Sequence, residues 1–556
     1  MIKLKQIIAL SVLSSSLLLG ASPNVVPNSS SIERDVQAPR DIPTVQKDIV
    51  KIEGVQQTSF QDDGSNKTIL IKGFKIEGNT KISTEDILNS IKEFENKELT
   101  FNQIQTLSSI ISKLYQDRGY FVARAYLPAQ NLEQNKNILN ISILEGNYGE
   151  FKIKNESLVK DSVVQEIFDN TKFSSVIDTK VIERAMLLIN DRNGVKVSKA
   201  EISPGSVVGT SDFNIETIAT PRVDGYVVAD NYGSRYTGAY RLQALVNVNS
   251  LASLGDKLTV SGLVSNGADL KNGKVAYELP LNSYGLKADV AYTRTNYDLV
   301  KEYKDLDAKG NANIYEVGLS YPLLRTTDEN LYLKVKYYHK NFNDDVDIWN
   351  TSDEKNINSF VGTLEYDKNY SLFSLPSRVY SSLNLTSGNL NSTQNVNDGR
   401  YNKVDTYVSN DIAFSDMFLL NTTLTAQKVL GHKNLDGSED IYVGGAYGVK
   451  VYPSSEQSAD NGYVLTNELF TKLPTFSSYN HKIGLFYDMG NVYQEVNQDV
   501  TFERRTLQDV GVGYYLNYKD MFAKVQMAWT LNSKPITSEQ TSHQNSKLLF
   551  QAGWVF

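Results

Sequence analysis

The sequence predicts an all-β transmembrane barrel of antiparallel strands, preceded by two small α+β domains. Helical periodicity ends at Pro221, and apolar and polar residues alternate from there to Phe556. Between Ile69 and Pro221, the same β-α-α-β-β order of elements occurs twice. With 556 residues, the chain is also too long for one ordinary core.

The composition excludes several kinds of site. The chain has no cysteine, which rules out disulfides, cysteine-ligated metals, iron–sulfur clusters and thiol nucleophiles. Its formal net charge of −8 argues against a nucleic-acid partner. No cofactor is expected. The 33 tyrosines, against 21 phenylalanines and 3 tryptophans, suit the aromatic girdles and the polar interior of a barrel.

Residues 1–21 are predicted to be a signal peptide for export. Lys3 and Lys5 precede an apolar stretch that ends at Leu19, and small residues follow it. No later run of about 18 apolar residues occurs, so no transmembrane helix is expected. Residues 22–67 are predicted to be a polar linker, because prolines interrupt it and apolar clusters are few.

Within this linker, a short helix is predicted from Thr44 to about Glu53. The two predicted α+β domains follow, at residues 68–147 and 148–220. In the first of them, Thr100 and Gln103 form a capping box at the start of an amphipathic helix.

Residues 221–556 are predicted to form the barrel. In the stretch LYLKVKYYHK, which begins at Leu331, the first, third, fifth and seventh residues are apolar or aromatic. Lysine and tyrosine occupy positions between them, and such charges cost little beside a water-filled lumen. A soluble β-sandwich array or a β-helix is the alternative, and the repeated lysines and aspartates on alternate faces weigh against it.

Five stretches, in order along the chain, carry a resemblance to a known family. They are FKIEGNTKIS, YQDRGYFVARAYLPAQNL, ISILEGNYGEFKI, PGSVVGTSDFNIET and VDGYVVADNYGSRYTGAYRL. Together they resemble the two-partner secretion transporters (TpsB), within the superfamily of outer-membrane proteins that join POTRA domains to a barrel. The resemblance implies two POTRA domains and 16 strands. Residues 221–556 then leave about 21 residues for each strand with its connection, whereas a spanning strand needs about 9–11. This arithmetic permits 16 strands and would also permit 14 or 18.

Two further stretches resemble the family's long sixth extracellular loop and the barrel wall that it meets. The loop stretch is YVGGAYGVKVYP, where the family has the tetrad Val-Arg-Gly-Tyr. The corresponding residues here are Val449, Lys450, Val451 and Tyr452. The family's Phe-x-Asp-x-Gly motif corresponds to Phe486, Asp488 and Gly490.

The family's arginine pairs with that aspartate inside the lumen, so the resemblance implies that Lys450 pairs with Asp488. Lysine is a point charge where arginine is a rigid fork, so the attraction survives and some geometry is lost. Val451 in place of glycine is expected to remove backbone freedom at the loop tip. An unpaired lysine in the lumen or loop is the alternative.

The resemblance also implies the function and the partners. The expected function is capture of a large unfolded exoprotein (TpsA-like, with an N-terminal secretion domain) and its passage through the barrel without ATP. The expected location is the outer membrane, with the POTRA domains in the periplasm. Outer-membrane lipid and the assembly machinery, which would recognise the C-terminal Phe556, are further expected partners, and the chain is expected to work as a monomer.

The first POTRA domain is the predicted capture site, through strand addition at an open sheet edge. The residues predicted to bind the client are Arg124, Tyr126, Leu127, Pro128 and Gln130. For each of them, a structural role in a turn or in domain packing is the alternative. The linker, residues 22–67, is expected to supply a plug for the pore, with the helix of Thr44 to Glu53 as the candidate.

Other functions fit less well. The four histidines lie far apart, and neither HExxH nor GxSxG occurs, so no enzyme is expected. An insertase of the same superfamily is an alternative, although it usually carries another number of POTRA domains. A passive pore is a third reading, and it would have no POTRA repeat.

Overall fold

The computed structural model describes residues 26–36, 50–54, 67–267, 270–393, 397–475, 478–497, 502–531, 535–539 and 545–556. The predicted signal peptide lies outside the described residues. Among the residues that the structure describes, no helix has both the length and the apolar character needed to cross a membrane.

The described part of the N-terminal segment holds one helix and one short strand, and an α+β domain with a three-stranded sheet follows. The elements are α1 (Ser29–Asp35), β1 (Ile52–Glu53), β2 (Thr68–Ile71), β3 (Gly73–Glu77), α2 (Thr84–Ile91), β4 (Lys97–Thr100), α3 (Phe101–Asp117), β5 (Arg124–Tyr126) and β6 (Ile138–Leu144). The sheet has the order β3-β6-β5, and β2 pairs with β4 separately. The predicted capping box is present, because the side chains of Thr100 and Gln103 each accept from the other's backbone N–H.

Glu145, just after β6, ties the first domain together. Its carboxylate accepts hydrogen bonds from Lys81 N at 2.8 Å, from Tyr115 Oη at 2.9 Å, and from both the backbone N–H and the hydroxyl of Thr80. Burial by itself raises the pKa of Glu145, but these hydrogen bonds outweigh it and hold the pKa below its ordinary value. The carboxylate therefore joins the β3–α2 turn to α3.

Replacing Glu145 with alanine is expected to destabilise the first domain by at least about 2 kcal/mol, since several charge-assisted hydrogen bonds are lost together. Because the folded-state pKa is depressed, the stabilisation is present above the unfolded pKa of about 4.3 and is lost as the pH falls through the folded value. Urea-dependent proteolysis of residues 69–146 in the full chain measures both effects. The control is Glu77→Ala, which removes an exposed partner of Lys75; an equal loss in that variant would contradict the assignment.

The second domain repeats the same architecture. Its elements are β7 (Asn147–Glu156), α4 (Asp161–Asp169), α5 (Thr179–Asn190), β8 (Lys196–Pro204) and β9 (Thr210–Ile218). The sheet order is β1-β8-β9-β7, so the linker strand β1 lies parallel to β8 at its edge. The helix predicted from Thr44 to Glu53 is wrong at its described end, because Ile52–Glu53 is a strand whose backbone pairs with this sheet; the residues before 50 lie outside the described part.

Sixteen strands close the barrel, which confirms the predicted fold class. They are β10 (Val223–Asp230), β11 (Arg241–Asn249), β12 (Lys257–Ser265), β13 (Lys271–Pro280), β14 (Lys287–Asp298), β15 (Ala308–Arg325), β16 (Glu329–Val346), β17 (Thr351–Leu372), β18 (Leu375–Ser392), β19 (Gly399–Ala413), β20 (Phe418–Val429), β23 (Asn461–Lys472), β24 (Tyr479–Tyr493), β25 (Thr506–Tyr518), β26 (Met521–Thr530) and β27 (Ser546–Val555). Two short strands, β21 (Ile441–Tyr442) and β22 (Ser458–Ala459), lie in the connection between β20 and β23. All barrel neighbours are antiparallel, and β27 closes onto β10.

The alternation along each strand separates a lipid-facing side from a lumen-facing side. On β24, Leu485 is 59% exposed whereas Asp488 is fully buried. The longest strand, β17, has 22 residues, about twice the 9–11 that a bilayer requires, so its outer end projects beyond the lipid. The second domain joins the barrel at the start of β10, which fixes the periplasmic end.

The second domain also contacts the periplasmic turns of the barrel. Arg192 donates to the carbonyls of Leu254 and Asn282 at 2.7 and 2.9 Å. Asp191 accepts two hydrogen bonds from the Arg325 guanidinium, at 2.7 and 2.8 Å. These contacts hold the domain against the mouth of the lumen.

Candidate functional site

The connection between β20 and β23, residues 430–460, folds back into the barrel. At its centre the backbone forms a tight hairpin, in which Gly445 N donates to Tyr452 O at 2.8 Å and Val449 N donates to Val443 O at 2.9 Å. A Cβ atom on Gly444 would lie 1.9 Å from Pro453 O, a backbone atom that cannot move aside. The glycines of this stretch therefore permit the hairpin that carries residues 449–452 to its tip.

Gly444→Ala is expected to open this hairpin, because the new methyl group would overlap the Pro453 carbonyl. With the function that the resemblance implies, it should lower the surface yield of the exoprotein at least tenfold. The matched control is Gly437→Ala in the same connection, where a Cβ would meet nothing within 4 Å. Surface yield of the exoprotein is measured beside the amount of the variant protein in the membrane. Equal secretion by the two variants would contradict the structural role of Gly444.

Lys450 lies at the hairpin tip and contacts the barrel wall. Its side chain is 8% exposed, and Nζ lies 2.8 Å from Oδ2 of the fully buried Asp488 on β24. Nζ also lies 4.4 Å from the centroid of the Phe486 ring, within cation–π range. The next residue, Val451, donates its backbone N–H to Oδ2 of Asp509 on β25 at 2.7 Å. Asp488 and Asp509 are direct partners in the β24–β25 ladder, so the tip contacts two adjacent carboxylates.

The spacing of Phe486, Asp488 and Gly490 follows from the strand period, which turns all three toward the lumen. A Cβ on Gly490 would lie 2.5 Å from Val443 Cγ1, so the missing side chain leaves room for the hairpin. A Cβ on Gly511 would lie 2.1 Å from the Phe486 ring, which packs across that strand. Phe486 thus packs across the neighbouring strand, Asp488 pairs with Lys450, and Gly490 leaves room for the hairpin.

Apolar burial accompanies the ion pair. The side chains of Val449, Val451 and Tyr452 are each fully buried in one cluster with residues of the barrel wall. The backbone of Val451 lies outside the left-handed region. Valine in place of glycine therefore restricts the backbone at this position without straining it. Valine instead adds apolar contact at the position where the family has glycine.

Two groups of this site were missed by the sequence reasoning. Asp509 gives no motif signal of its own, although it lies on the lumen-facing register of a strand next to Asp488. The buried pair of Arg505 and Glu456, at 2.7 Å, joins the same connection to the residue that precedes β25. The sequence does hold one signal for Asp509: a charged residue followed by valine and glycine in a barrel strand indicates a side chain that faces the lumen.

Helix α1 occupies the outer half of the lumen. Ser29 donates its backbone N–H and its hydroxyl to Asp344 near the outer end of β16, both at 2.7 Å. Thr295 on β14 donates to Glu33 at 2.8 Å, and Arg241 on β11 donates to Asp35 O at 2.6 Å. Among the described residues of the linker, the helix that lies in the pore is therefore Ser29–Asp35. Most of the predicted candidate, Thr44 to Glu53, lies outside the described residues, and its described end is the strand Ile52–Glu53.

The apolar anchor of α1 is Ile32, which is 2% exposed. It packs among residues near the outer mouth: Tyr236, Leu263, Leu270, Tyr297, Leu299 and Ala308. Ser454, in the connection that carries Lys450, also donates to Asp35 Oδ1 at 2.6 Å. The lumen helix and the hairpin connection thus contact each other.

The predicted client-binding residues lie together at β5 and the turn after it. Tyr126 is 50% exposed, whereas Leu127 is partly buried against the domain core. Arg124 donates to the backbone carbonyls of Phe121 and Ala123, at 3.1 and 2.8 Å. Local packing therefore accounts for the placement of Arg124 and Leu127.

Gln130 continues the sheet where β5 ends. Its amide accepts from Asn140 N and donates to Asn140 O, both at 2.8 Å, and it also donates to Pro128 O at 3.3 Å. The outer edge of β5 is partly used as well, because Ala125 N donates to Ser112 Oγ on α3 at 2.9 Å. Within the described ranges, no three His, Asp or Glu side chains are grouped so that they could hold a metal ion.

A closed 16-stranded barrel, two periplasmic α+β domains and a lumen that holds both a helix and a folded-back hairpin define a POTRA-barrel transporter of the outer membrane. A family model described as haemolysin secretion/activation protein ShlB/FhaC/HecB matches residues 209–514, and a POTRA domain model of the ShlB type matches residues 69–146. The chain belongs to the ShlB/FhaC/HecB family.

Similar proteins and a similar structure agree with this family assignment. The heme/hemopexin transporter protein HuxB of Haemophilus influenzae (strain 86-028NP) is 29% identical over 459 residues, covering 80% of this chain and 79% of HuxB. The hemolysin transporter protein HpmB of Proteus mirabilis is 22% identical over 531 residues, covering 89% and 90% of the two chains. The structure of CdiB from Escherichia coli has a TM-score of 0.72 at 19% identity, over 91% of this chain and 94% of CdiB, and supports the fold.

The function of the chain follows from the family. It is a two-partner secretion transporter of the outer membrane, with its POTRA domains in the periplasm, and it works with a secreted TpsA-type exoprotein. The members of the family are transporters.

Proposed function

We propose that the chain captures its unfolded exoprotein at the POTRA domains and passes it through the lumen once α1 has left. The single observation that carries this proposal is the way α1 is held. The helix has seven residues and only Ile32 as its deeply buried apolar anchor, with hydrogen bonds to the wall supplying the rest. Exchange of such hydrogen bonds for hydrogen bonds to water costs only about 0.5–3 kcal/mol each, so an extended client that supplies its own contacts can displace the helix.

The driving force is folding of the client outside the cell. The glycine-rich stretch at residues 444–450 lacks the GxxxxGK[ST] spacing of a phosphate-binding loop, and the periplasm supplies no nucleotide. No catalytic residue is needed if capture is followed by irreversible folding. The pair of Lys450 and Asp488 then has the role of holding the hairpin against the wall while the lumen changes its contents.

The remaining partners are proposed on the same basis. Outer-membrane lipid contacts the exposed apolar side of the strands, such as Leu485. Gly225 N donates to Phe556 O at 2.9 Å, and Phe556 N donates to Gly225 O at 3.0 Å, beside the pairing of β27 with β10 that closes the barrel. Assembly machinery would recognise Phe556 at this pairing. One copy contains the whole lumen, which suits a monomer.

Tyr126 is the most accessible of the predicted client contacts, so it is the residue to test. Tyr126→Ala is expected to lower secretion about fivefold to tenfold. A bound client would cover the exposed Tyr126 ring, and loss of such an aromatic contact costs roughly 1–1.5 kcal/mol. Phe101→Ala is the matched control, because Phe101 is 47% exposed in the same domain. Surface display of the exoprotein, with the transporter level held equal, measures the effect; equal display by both variants would remove Tyr126 from the capture site.

A further inference from the structure

The outer wall of strands β15, β16 and β17 carries asparagines just beyond the end of its apolar surface. Val335 on β16 and Phe360 on β17 are 46% and 60% exposed, as side chains that face lipid are. Further toward the outer ends of the three strands, outward positions are taken by Asn311, Asn313, Asn341, Asn343, Asn356 and Asn358. These six residues are called the amide face below.

The strand period turns the amide face away from the lumen. The residues between the asparagines point inward, and Ala312, Phe342 and Ile357 are buried there in one apolar cluster. That cluster includes Leu435, which belongs to the connection that folds back into the barrel. The asparagines take the alternate positions and are partly exposed, so they cover the outside of the wall.

Aromatic rings mark the lipid boundary just below the amide face. The rings of Tyr337 and Phe360 have their centroids 5.0 Å apart, and so do those of Tyr292 and Tyr315. Such rings gather at the level of the lipid headgroups. Asn341 lies four residues beyond Tyr337, roughly 14 Å along a strand that is itself tilted in the membrane. The amide face therefore lies at the headgroups of the outer leaflet.

Hydrogen bonds among these side chains hold the amides in fixed orientations. Asn358 donates to Asn356 Oδ1 at 2.9 Å, and Asn356 donates to Asn341 Oδ1 at 2.6 Å. Asn341 Nδ2 lies 3.1 Å from His339 Nε2, and His339 Nδ1 lies 2.7 Å from Asn358 Oδ1, which closes a ring of four side chains. An amide has two donor hydrogens, and the ring uses one from each asparagine. A ligand can bind to such a preset network with little further loss of side-chain freedom.

The amide face also lines a depression of about 560 Å³ in the outer surface. The acidic residues of its lining are Glu354 and Asp398, which would repel a phosphate group. Its lysine, Lys355, is buried and lies with Nζ 3.3 Å from Asp436 Oδ2 inside the lumen. The depression is therefore suited to a ligand that is rich in hydroxyl groups and not to an anion.

We propose that the amide face binds the saccharide headgroup of a glycolipid in the outer leaflet. Each hydroxyl of a sugar both donates and accepts hydrogen bonds, and the planar amides offer donors and acceptors side by side. Glycolipids make up much of the outer leaflet of an outer membrane, and their sugars stand directly above the lipid boundary that the aromatic rings mark. This site lies outside the lumen, so it goes beyond the proposed function and does not depend on it.

The test replaces two amides that are direct partners in the β16–β17 ladder, with Asn341→Leu and Asn356→Leu combined. The matched control combines Asn480→Leu and Asn517→Leu, which are exposed direct partners at the periplasmic end of β24 and β25. The full-length protein is purified in detergent, freed of co-purified lipid and titrated with rough lipopolysaccharide. Native mass spectrometry measures the bound fraction, and heat-modifiable migration on gels shows that each barrel is closed.

The affinity of the amide-face variant for lipopolysaccharide is expected to fall about tenfold, because several hydrogen bonds are lost together. The control variant is expected to bind like the unaltered protein. Phosphatidylethanolamine, which has no sugar, is expected to bind all three proteins equally, and a tenfold loss for this lipid as well would overturn the saccharide as the ligand.

Equal lipopolysaccharide affinity in the amide-face variant and the unaltered protein would overturn the site. If that variant then also lost surface display of the exoprotein, the amide face would belong to the emerging exoprotein instead. The binding measurement contains no exoprotein, so its result is independent of the Tyr126 experiment.

Discussion

Replacing Lys450 with methionine is expected to abolish secretion while leaving the barrel assembled. The side chains have similar length, so the apolar packing of the hairpin tip is largely kept. The charge is lost, however, and the neighbouring buried carboxyl groups of Asp488 and Asp509 are then left without the cation that pairs with Asp488. Removing one partner of a buried ion pair costs about 3–5 kcal/mol, which is enough to release the hairpin from the wall.

Because Asp509 lies beside the ion pair, substitutions of Lys450 and of Asp488 are expected to reduce secretion by different amounts. An isolated pair of two residues would predict equal losses. Asp488→Asn leaves Lys450 near one carboxylate, Asp509, which the Val451 backbone already holds at the same tip. Its loss of secretion is expected to be smaller than that of Lys450→Met by about tenfold. Lys450→Arg keeps the charge and can bind a carboxylate with two hydrogen bonds, so it is expected to retain most activity.

Surface display of the exoprotein by the three variants, normalised to transporter in the outer membrane, measures this order. Heat-modifiable migration on gels reports whether the barrel is closed in each variant. If Asp488→Asn proved as severe as Lys450→Met, the contribution of Asp509 to the site would be refuted.

Deleting residues 26–36 is expected to raise the single-channel conductance several-fold, because α1 fills the outer half of the lumen. Ile32→Asp is expected to reproduce most of this increase without shortening the chain, since a carboxylate cannot remain in the apolar contacts that Ile32 makes. The matched control is Ile69→Asp, which changes an isoleucine that is 44% exposed on the first domain.

Planar bilayer recordings of the purified full chain make this measurement. The Ile69→Asp channel should match the unaltered one, and the Ile32→Asp channel should show most of the increase that the deletion gives. Unchanged conductance after deletion of residues 26–36 would exclude α1 as the plug.

The sequence was sufficient for those features that depend on local periodicity or on a motif. Alternation along the strands predicted the barrel, and the capping box at Thr100 and Gln103 fixed the start of α3. The resemblance implied the partnership of Lys450 with Asp488, and in the structure the two side chains lie in contact. Each of these features is encoded within a few residues of chain or in a recognisable motif.

The features that escaped prediction depend on distant surroundings. Ser29–Asp35 is a seven-residue helix whose contacts come from strands more than 200 residues away, so its own sequence carries little signal. The local sequence at Ile52–Glu53 predicts a helix, but these residues form a strand because they pair with the open edge of β8. Asp509 likewise acquires its role only through its partner in the next strand.

The most direct test of transport through the lumen is to tie α1 in place. Ser29 and Asp344 are hydrogen-bonded across the lumen, so cysteines at these positions can be joined by a short, reducible bifunctional thiol reagent in a chain that has no other cysteine. Secretion of the exoprotein is then followed before and after reduction, with each single-cysteine variant treated in parallel. The account predicts that secretion stops in the crosslinked fraction and recovers on reduction; secretion at the unaltered rate by fully crosslinked transporter would contradict it.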